Sequence, residues 1–248
     1  WTPGESNQGK AGAYTVLEAT RNSVNQAFGD MATKVDFCQI FERAKAMGIT
    51  DAEGDAIIPV PGNIIGSAEA TPLELASAFG TLDNNGSLCE PMSLLEVEDR
   101  DGTILRTYEP SCASVIDSGV AQQVTRVLEL ASQDLPYQIG RPFAGKSGTT
   151  DNNSTIWFVG YTPQLSTAVW GGVAADPFRP GQNLMINGEF IPYLYGGPYL
   201  GPVWAQYMTQ ALEGQPVEGF PDVFIGAPPA APLPAQPAPE PAPAENAG

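Results

Sequence analysis

The chain has 248 residues and a formal net charge of −17, with 28 acidic residues against 11 basic ones. A surface this acidic repels nucleic-acid phosphates, so nucleic-acid binding is not expected. The chain has no histidine, which excludes a Ser-His-Asp triad and histidine metal ligands, and neither a metal nor a cofactor is expected.

The first part of the chain has mainly helical patterns. Apolar residues recur at helical spacing in three segments: residues 14–28, 37–49 and 71–86. The second segment ends at Gly48, a residue type typical of a helix C-terminus. The third begins with Thr71, Pro72 and Glu74, which together predict a capping box with a proline in the first turn.

The remainder mixes strands with helices. Strands are predicted in a hairpin over 93–108 and in a second hairpin over 155–162 and 165–173, and helices over 117–132 and 203–212. Helices, then a meander, then a closing helix predict an α+β fold for residues 1–224. Residues 225–248 are rich in Pro and Ala and predict a disordered tail. The Gly/Tyr/Pro-rich stretch 190–202 is interpreted as a packed surface loop, with lining of a substrate site as the alternative.

Four aromatic residues on the second hairpin have two interpretations: Trp157, Phe158, Tyr161 and Trp170. Because side chains alternate between the two faces of a strand, these aromatic residues are interpreted as core residues and cross-strand pairs rather than as a platform that binds substrate.

Residues 140–150, GRPFAGKSGTT, fit two motifs. The spacing from Gly140 to Lys146 is that of a phosphate-binding P-loop. A P-loop needs a strand before it and a helix that begins at the lysine. Here a predicted helix comes before the segment, and small polar residues followed by a strand come after it. The P-loop spacing is therefore interpreted as accidental, and nucleotide binding is not expected.

The second motif is Lys146-Ser147-Gly148-Thr149-Thr150, which predicts an edge strand beside a pocket. The ammonium group of the lysine would attract a carboxylate. Glycine would let a substrate backbone approach closely. Thr149 would offer a hydroxyl to the carboxylate and an amide to an oxyanion.

Ser23-Val24-Asn25 forms a possible third element. In a regular helix the side chains of Ser23 and Asn25 would point about 200° apart, so they could share a pocket only at a bend. Taken alone, the pattern also fits an ordinary polar helix face.

In context, the chain resembles the transpeptidase domain of penicillin-binding proteins, most closely the bifunctional class A kind. Four stretches carry the resemblance in the family's order: GAYTVLEATRNSVNQAF around its S-x-N motif, GSAEATPLELASAFGTLDNNG in the following helix, AGKSGTT at its K-[ST]-G-T motif, and TIWFVGYTPQLSTAVWGG in the next strand pair. The resemblance implies the α+β penicillin-binding and serine β-lactamase-like fold, with an antiparallel sheet, packed helices and a helical subdomain, here in part.

The resemblance also implies a function and residue roles. The family cross-links peptidoglycan stem peptides that end in D-Ala-D-Ala through an acyl-enzyme, and β-lactams trap that intermediate. Ser23 would relay a proton, Asn25 would hold the substrate amide, and Lys146 would tune Ser23 and attract the donor carboxylate. Thr149 would bind that carboxylate. The other site residues would shape the strand: Ser147, Gly148 and Thr150.

The family's nucleophile motif, Ser-x-x-Lys, does not occur in the 248 residues. The residues three positions before the four lysines are Asn7, Met31, Glu42 and Phe143. We therefore expect the chain to be the C-terminal part of a longer enzyme and inactive alone; the alternative is a non-catalytic binding or sensor protein. A smaller departure is Thr155-Ile156, where the family usually has Asp-Ala.

Class A members lie on the outer face of the bacterial plasma membrane and carry an N-terminal membrane anchor and a glycosyltransferase domain, so the resemblance implies both outside this chain. Cys89 and Cys112 flank a predicted hairpin. A disulfide between them is expected if the compartment is oxidising, and buried free thiols are the alternative.

Overall fold

The computed structural model describes residues 12–51 and 53–225. In these residues the helices are α1 (Val16–Asn22), α2 (Asn25–Ala32), α3 (Phe37–Ala46), α4 (Pro72–Asp83), α5 (Ser118–Ser132) and α6 (Gly196–Ala211). The strands are β1 (Ser87–Cys89), β2 (Glu96–Glu98), β3 (Ile104–Thr107), β4 (Cys112–Ser114), β5 (Ala144–Thr149), β6 (Ile156–Thr162), β7 (Leu165–Gly171), β8 (Gln182–Ile186) and β9 (Glu189–Tyr193). Short 3-10 helices lie at Pro61–Ile65 and Asp151–Asn153. The α+β fold class is confirmed.

The central element is an antiparallel sheet in the order β5-β6-β7, so that β5 is an edge strand among the described residues. Because side chains alternate between the faces of a strand, Phe158 and Tyr161 of β6 point to opposite sides. Phe158 packs with Trp204 of α6, whereas Tyr161 packs with residues of α4 and α5. The sheet therefore lies between α6 on one face and α4 with α5 on the other.

Each face of the sheet has its own apolar core. The α6 side contains Tyr137, Ile139, Phe143, Phe158, Trp204, Ala205, Met208 and Leu212. The other side contains Leu82, Ala121, Leu128, Ala144 and Tyr161. Ile156, Phe158 and Tyr161 are each at most 2% exposed, and Trp157 and Trp170 are cross-strand partners whose ring centroids lie 6.4 Å apart. The interpretation of the hairpin aromatics as core and cross-strand residues is confirmed.

A local capping signal correctly predicted the start of α4, and α5 lies within the predicted helix over 117–132. Thr71 accepts a hydrogen bond from the amide of Glu74, and the Glu74 carboxylate accepts one from the Thr71 amide, which closes the predicted capping box of α4. The Asp117 carboxylate caps α5 by accepting hydrogen bonds from the amides of Gly119 and Val120. Gly48 follows the end of α3 with a φ of 84°, a conformation that glycine adopts without strain.

The single helix predicted over 14–28 is wrong in one respect, because the chain bends at Ser23. Ser23 has the left-handed conformation (φ 51°, ψ 49°), and Val24 is extended, so α1 ends and α2 begins within three residues. Val24 is only 5% exposed, and its burial holds the bend against the domain.

The interpretation of 190–202 as a loop is also wrong. Glu189–Tyr193 forms strand β9, which pairs with β8. The closing helix begins at Gly196 rather than Val203, and it includes Pro202. Glycine and proline have low helix propensity, which hid this part of α6 in the sequence.

Strands β1 and β4 pair in register at Cys89 and Cys112, and a disulfide joins these two residues. Between them the β2–β3 hairpin forms the predicted pair of strands, with a register shift at Val97 and Glu98. The predicted disordered tail, apart from Ile225, lies outside the described residues.

Candidate functional site

The bend at Ser23 determines where its hydroxyl points. A left-handed backbone at a non-glycine residue costs roughly 1–2 kcal/mol, so packing must hold it. One anchor is Arg21 in the last turn of α1, whose guanidinium donates to the carbonyl of Leu130 at 2.6 Å and pairs with Asp134 at 3.4 Å. The bend thus brings Ser23 beside β5, and Asn25 follows as the half-buried first residue of α2.

Lys146 lies in the middle of β5 and contacts Ser23 directly. Its Nζ atom lies 2.5 Å from Ser23 Oγ and also donates to the carbonyl of Ser147 at 2.9 Å. Burial lowers the pKa of Lys146 to about 8, although part of the side chain stays accessible. A lysine in this range still carries a positive charge near neutral pH, and it exchanges protons with a neighbouring hydroxyl more easily than an ordinary lysine.

A buried serine that sequence reasoning missed fixes the strand next to Lys146. Ser132, at the end of α5, is 1% exposed. Its hydroxyl accepts from the amide of Gly145 at 3.1 Å and lies within donating distance of the carbonyls of Leu128 and Gly145. No sequence signal distinguishes this serine from other polar helix residues, because its role depends on contact with a distant strand.

The far end of β5 meets the start of α6. The amide of Gly196 donates to Thr149 Oγ1 at 3.1 Å. A Cβ atom at Gly196 would lie 2.3 Å from the carbonyl oxygens of Gly148 and Trp157, so only glycine allows this approach. A Cβ at Gly148 would lie 3.3 Å from Trp157 Cβ, which makes this position tight as well.

The other two predicted substrate residues occupy different surroundings. Ser147 lies on the face of the sheet opposite to Lys146, near Gly197 of α6. The Thr150 hydroxyl contacts those of Ser154 and Thr155 at 3.0 Å and accepts from the Thr155 amide. Thr150 therefore organises the connection from β5 to β6.

The structure agrees with rejecting a P-loop. Lys146 is inside a strand rather than at the start of a helix, and the element that follows β5 is a short 3-10 helix. The described residues contain no group of three or more His, Cys, Asp or Glu side chains arranged to hold a metal ion.

A cavity of about 450 Å³ lies between α1 and α2 and is lined by residues such as Val16, Val24 and Phe28. Ser23, Asn25 and Lys146 do not line it. The candidate site is therefore the contact between the bend and β5, with the start of α6 at its far end.

Comparison with known proteins gives one consistent family. A sequence profile described as the penicillin binding protein transpeptidase domain matches residues 1–176. Among curated proteins, "Penicillin-binding protein 1A" of Mycolicibacterium smegmatis is 30% identical over 252 residues, and that of Aquifex aeolicus is 27% identical over 224 residues. These alignments cover 90% and 89% of this chain but only 31% and 29% of the relatives, so the chain spans less than a third of their length.

Solved structures agree. The penicillin-binding protein PonA1 of Mycobacterium tuberculosis in complex with penicillin V has a TM-score of 0.72 and 28% identity, with 90% of this chain and 64% of that chain covered. Penicillin-binding protein 1A of Haemophilus influenzae has a TM-score of 0.74 at 22% identity, with 89% and 38% covered, and supports the fold.

Proposed function

Because the chain belongs to the penicillin-binding protein transpeptidase family, we propose that its site takes part in D,D-transpeptidation of peptidoglycan and binds β-lactams. The observation that carries this proposal is the contact between Lys146 Nζ and Ser23 Oγ across the bend. The contact joins the two motifs in one site. It places the positive charge of Lys146 beside the Ser23 hydroxyl, an arrangement suited to proton transfer and to attracting a carboxylate.

The proposed reaction has two steps. A serine oxygen attacks the carbonyl carbon between the two terminal D-alanines, its proton moves through Ser23 to the leaving nitrogen, and the carbon–nitrogen bond breaks to release D-alanine. An amine of a second stem peptide then attacks the ester, loses its proton by the same route and regenerates the serine. Asn25 would hold the substrate amide, and the Thr149 amide would stabilise the oxyanion.

The attacking serine is the part that these 248 residues do not supply, since they contain no Ser-x-x-Lys sequence. We assign it to a segment outside them. The proposed activity of this chain alone is therefore reversible binding of the donor peptide or β-lactam, without acylation.

The same proposal places the site on the outer side of the bacterial plasma membrane, where stem peptides are cross-linked. The Cys89–Cys112 disulfide supports an oxidising compartment. Among residues 12–51 and 53–225, none of the helices combines the length and apolar character that crossing a bilayer requires.

Binding of benzylpenicillin, measured by titration calorimetry, tests the proposed site. Lys146→Met should weaken binding at least about tenfold, because it removes the positive charge that contacts Ser23. Lys45→Met is a matched control on α3, where the lysine pairs with exposed Asp55. No saturable binding to the wild-type chain would overturn the proposal.

Intact-mass measurement after incubation with benzylpenicillin tests the second part. We expect an unmodified mass for the 248-residue chain. A stoichiometric covalent adduct would show that a residue of this chain acts as the nucleophile.

A further inference from the structure

The β2–β3 hairpin presents apolar side chains to solvent. Among the described residues its two strands pair only with each other, and every residue of both strands is exposed. Two leucines of the hairpin, Leu95 and Leu105, are 67% and 65% exposed. A two-stranded hairpin is at best marginally stable in water when nothing packs against it. The described part of the domain therefore leaves an apolar surface of this hairpin uncovered.

The base of the hairpin is nevertheless held in place. The Cys89–Cys112 disulfide joins strands β1 and β4, which lead into it and out of it. The side chain of Asn84, at the end of α4, donates to the carbonyl of Ser87 in β1 at 2.9 Å. A surface that is held in this way loses less conformational entropy when it binds a partner.

The two edges of the hairpin differ. Val97 pairs with Arg106 and Glu98 pairs with Ile104, so Leu105 is an extra residue in β3. A bulge of this kind bends its strand and interrupts the hydrogen-bonding edge, which makes β3 a poor template for another strand. Strand β2 contains neither an extra residue nor a proline. Its edge is therefore the one that a further strand can join.

Hydrogen bonds at both ends of β2 show which of its backbone groups face outward. The Leu95 carbonyl accepts from the amide of Tyr108 at 2.8 Å, and the Asp99 amide donates across the hairpin turn at 2.9 Å. Leu95 and Asp99 therefore face β3. Because backbone groups alternate in direction along an antiparallel strand, those of Glu96 and Glu98 point away from β3, to the open edge.

The side chains of β2 determine which strand can join this edge. Glu96 and Glu98 lie on one face of β2, and Leu95 and Val97 lie on the other. Two carboxylates at an edge repel an acidic strand, and a second copy of this chain would bring its own net charge of −17. A strand with lysine or arginine beside the glutamates gains cross-strand ion pairs, and apolar residues between them cover Leu95 and Val97.

We propose that the open edge of β2 is a docking site for an extended segment of another protein in which basic and apolar residues alternate. The segment adds a third strand to the hairpin, and its backbone bonds to the outward groups of Glu96 and Glu98. The docking site uses none of the residues of the site around Ser23 and Lys146, so it does not depend on the proposed transpeptidation.

A short peptide in which lysine and valine alternate, with both ends blocked, is the probe for this site. We expect it to bind the 248-residue chain saturably and to slow hydrogen exchange at the amides of Glu96 and Glu98, measured by NMR. The same peptide with N-methylated amides keeps its charges but cannot pair with a strand, so it should bind at least about tenfold more weakly. Equal binding of the two peptides would show that charge alone attracts them and would overturn the proposal.

Two double variants separate the edge of β2 from the overall charge of the chain. Glu96→Lys with Glu98→Lys reverses the charge at the edge and should weaken binding of the alternating peptide at least about tenfold. Glu189→Lys with Glu213→Lys makes the same change in net charge at exposed positions at the start of β9 and after α6. This control should weaken binding less than about twofold, because distant surface charges are screened by salt.

Three results would contradict the docking site. The first is the absence of saturable peptide binding to the wild-type chain, and the second is an equal loss of affinity in both double variants. The third is a dimer in sedimentation equilibrium that the Glu96→Lys and Glu98→Lys changes abolish, since the edge would then bind a second copy of this chain. Each of these results leaves the proposed transpeptidase function unaffected, because benzylpenicillin binding is measured separately.

Discussion

Lys146 Nζ and Ser23 Oγ lie 2.5 Å apart, although the two residues are 123 positions apart in the chain. The contact depends on two local features: a lysine that points from an edge strand, and a serine whose left-handed backbone breaks a helix. The two features lie in separate segments of the chain, so each can be changed separately.

Two variants, Ser23→Ala and Ser23→Gly, separate the contribution of the Ser23 hydroxyl from that of its backbone conformation. Both variants lose the contact with Lys146 and should bind benzylpenicillin about tenfold more weakly, the loss expected for a hydrogen bond to a charged group. Glycine adopts a φ of 51° without strain, so Ser23→Gly should be more stable than Ser23→Ala by about 1 kcal/mol in urea unfolding. Full affinity in either variant would contradict a role for the hydroxyl.

The pKa of Lys146 predicts how binding depends on pH. Because the pKa is lowered to about 8, the lysine is charged below that pH and neutral above it. Benzylpenicillin affinity should therefore be constant below about pH 7 and fall above pH 8, by up to about tenfold per pH unit. Lys146→Arg stays charged throughout, and its profile should be flat to pH 10. If the affinity of Lys146→Arg fell in the same way with pH, the decline would have to come from the titration of another group.

Gly201 and Gly197 form a matched pair on α6. A Cβ at Gly201 would lie 2.1 Å from the ring of Tyr137, whereas a Cβ at Gly197 has normal contacts. Gly201→Ala should lower the free energy of unfolding by about 1–3 kcal/mol through overpacking. Gly197→Ala should be neutral or stabilising by up to about 1 kcal/mol, since alanine favours the helix. Chemical denaturation of both variants would measure the difference, and equal stabilities would be inconsistent with the tight contact.

The raised pKa of Asp83 predicts that the stability of the fold also depends on pH. Burial, with a contribution from Glu218, raises its pKa to about 6. The folded chain therefore binds this proton more tightly than the unfolded chain, so the contribution to stability is present below about pH 4 and is lost as pH rises through 6.

Asp83→Asn should accordingly raise Tm at pH 7 by roughly 2–4 °C, which corresponds to about 1 kcal/mol after allowance for solvent screening. The gain should shrink at pH 4.5. Asp101→Asn, at the exposed tip of the β2–β3 turn, is the control and should change Tm at neither pH. A gain for Asp83→Asn that does not depend on pH would rule out the carboxylate as its cause.

Features with local signals could be predicted from the sequence. The capping box of α4, the Asp-Gly turn between β2 and β3, and the alternation in β6 and β7 each lie within a few residues, and the structure has all of them. The edge position of β5 was expected from the Lys146–Thr150 motif, and β5 is an edge strand among the described residues.

Features that depend on distant contacts could not be predicted. The bend at Ser23 overrides a continuous helical pattern because a buried Val24 and the Arg21 contacts hold it. The start of α6 at Gly196 contradicts helix propensity, and its close approach to β5 and β6 requires that glycine. Sequence reasoning could therefore name Ser23 and Lys146 as candidate site residues, but it could not place α6 beside Thr149.

The disulfide between Cys89 and Cys112 has a mechanical consequence. It closes a loop across a sequence separation of 23, which contains the whole β2–β3 hairpin. When the two ends of the chain are pulled apart, tension passes from one cysteine to the other through the sulfur atoms and bypasses the hairpin. The oxidised chain then extends roughly 75 Å less than the reduced chain, and the hairpin stays folded while the rest of the chain is stretched.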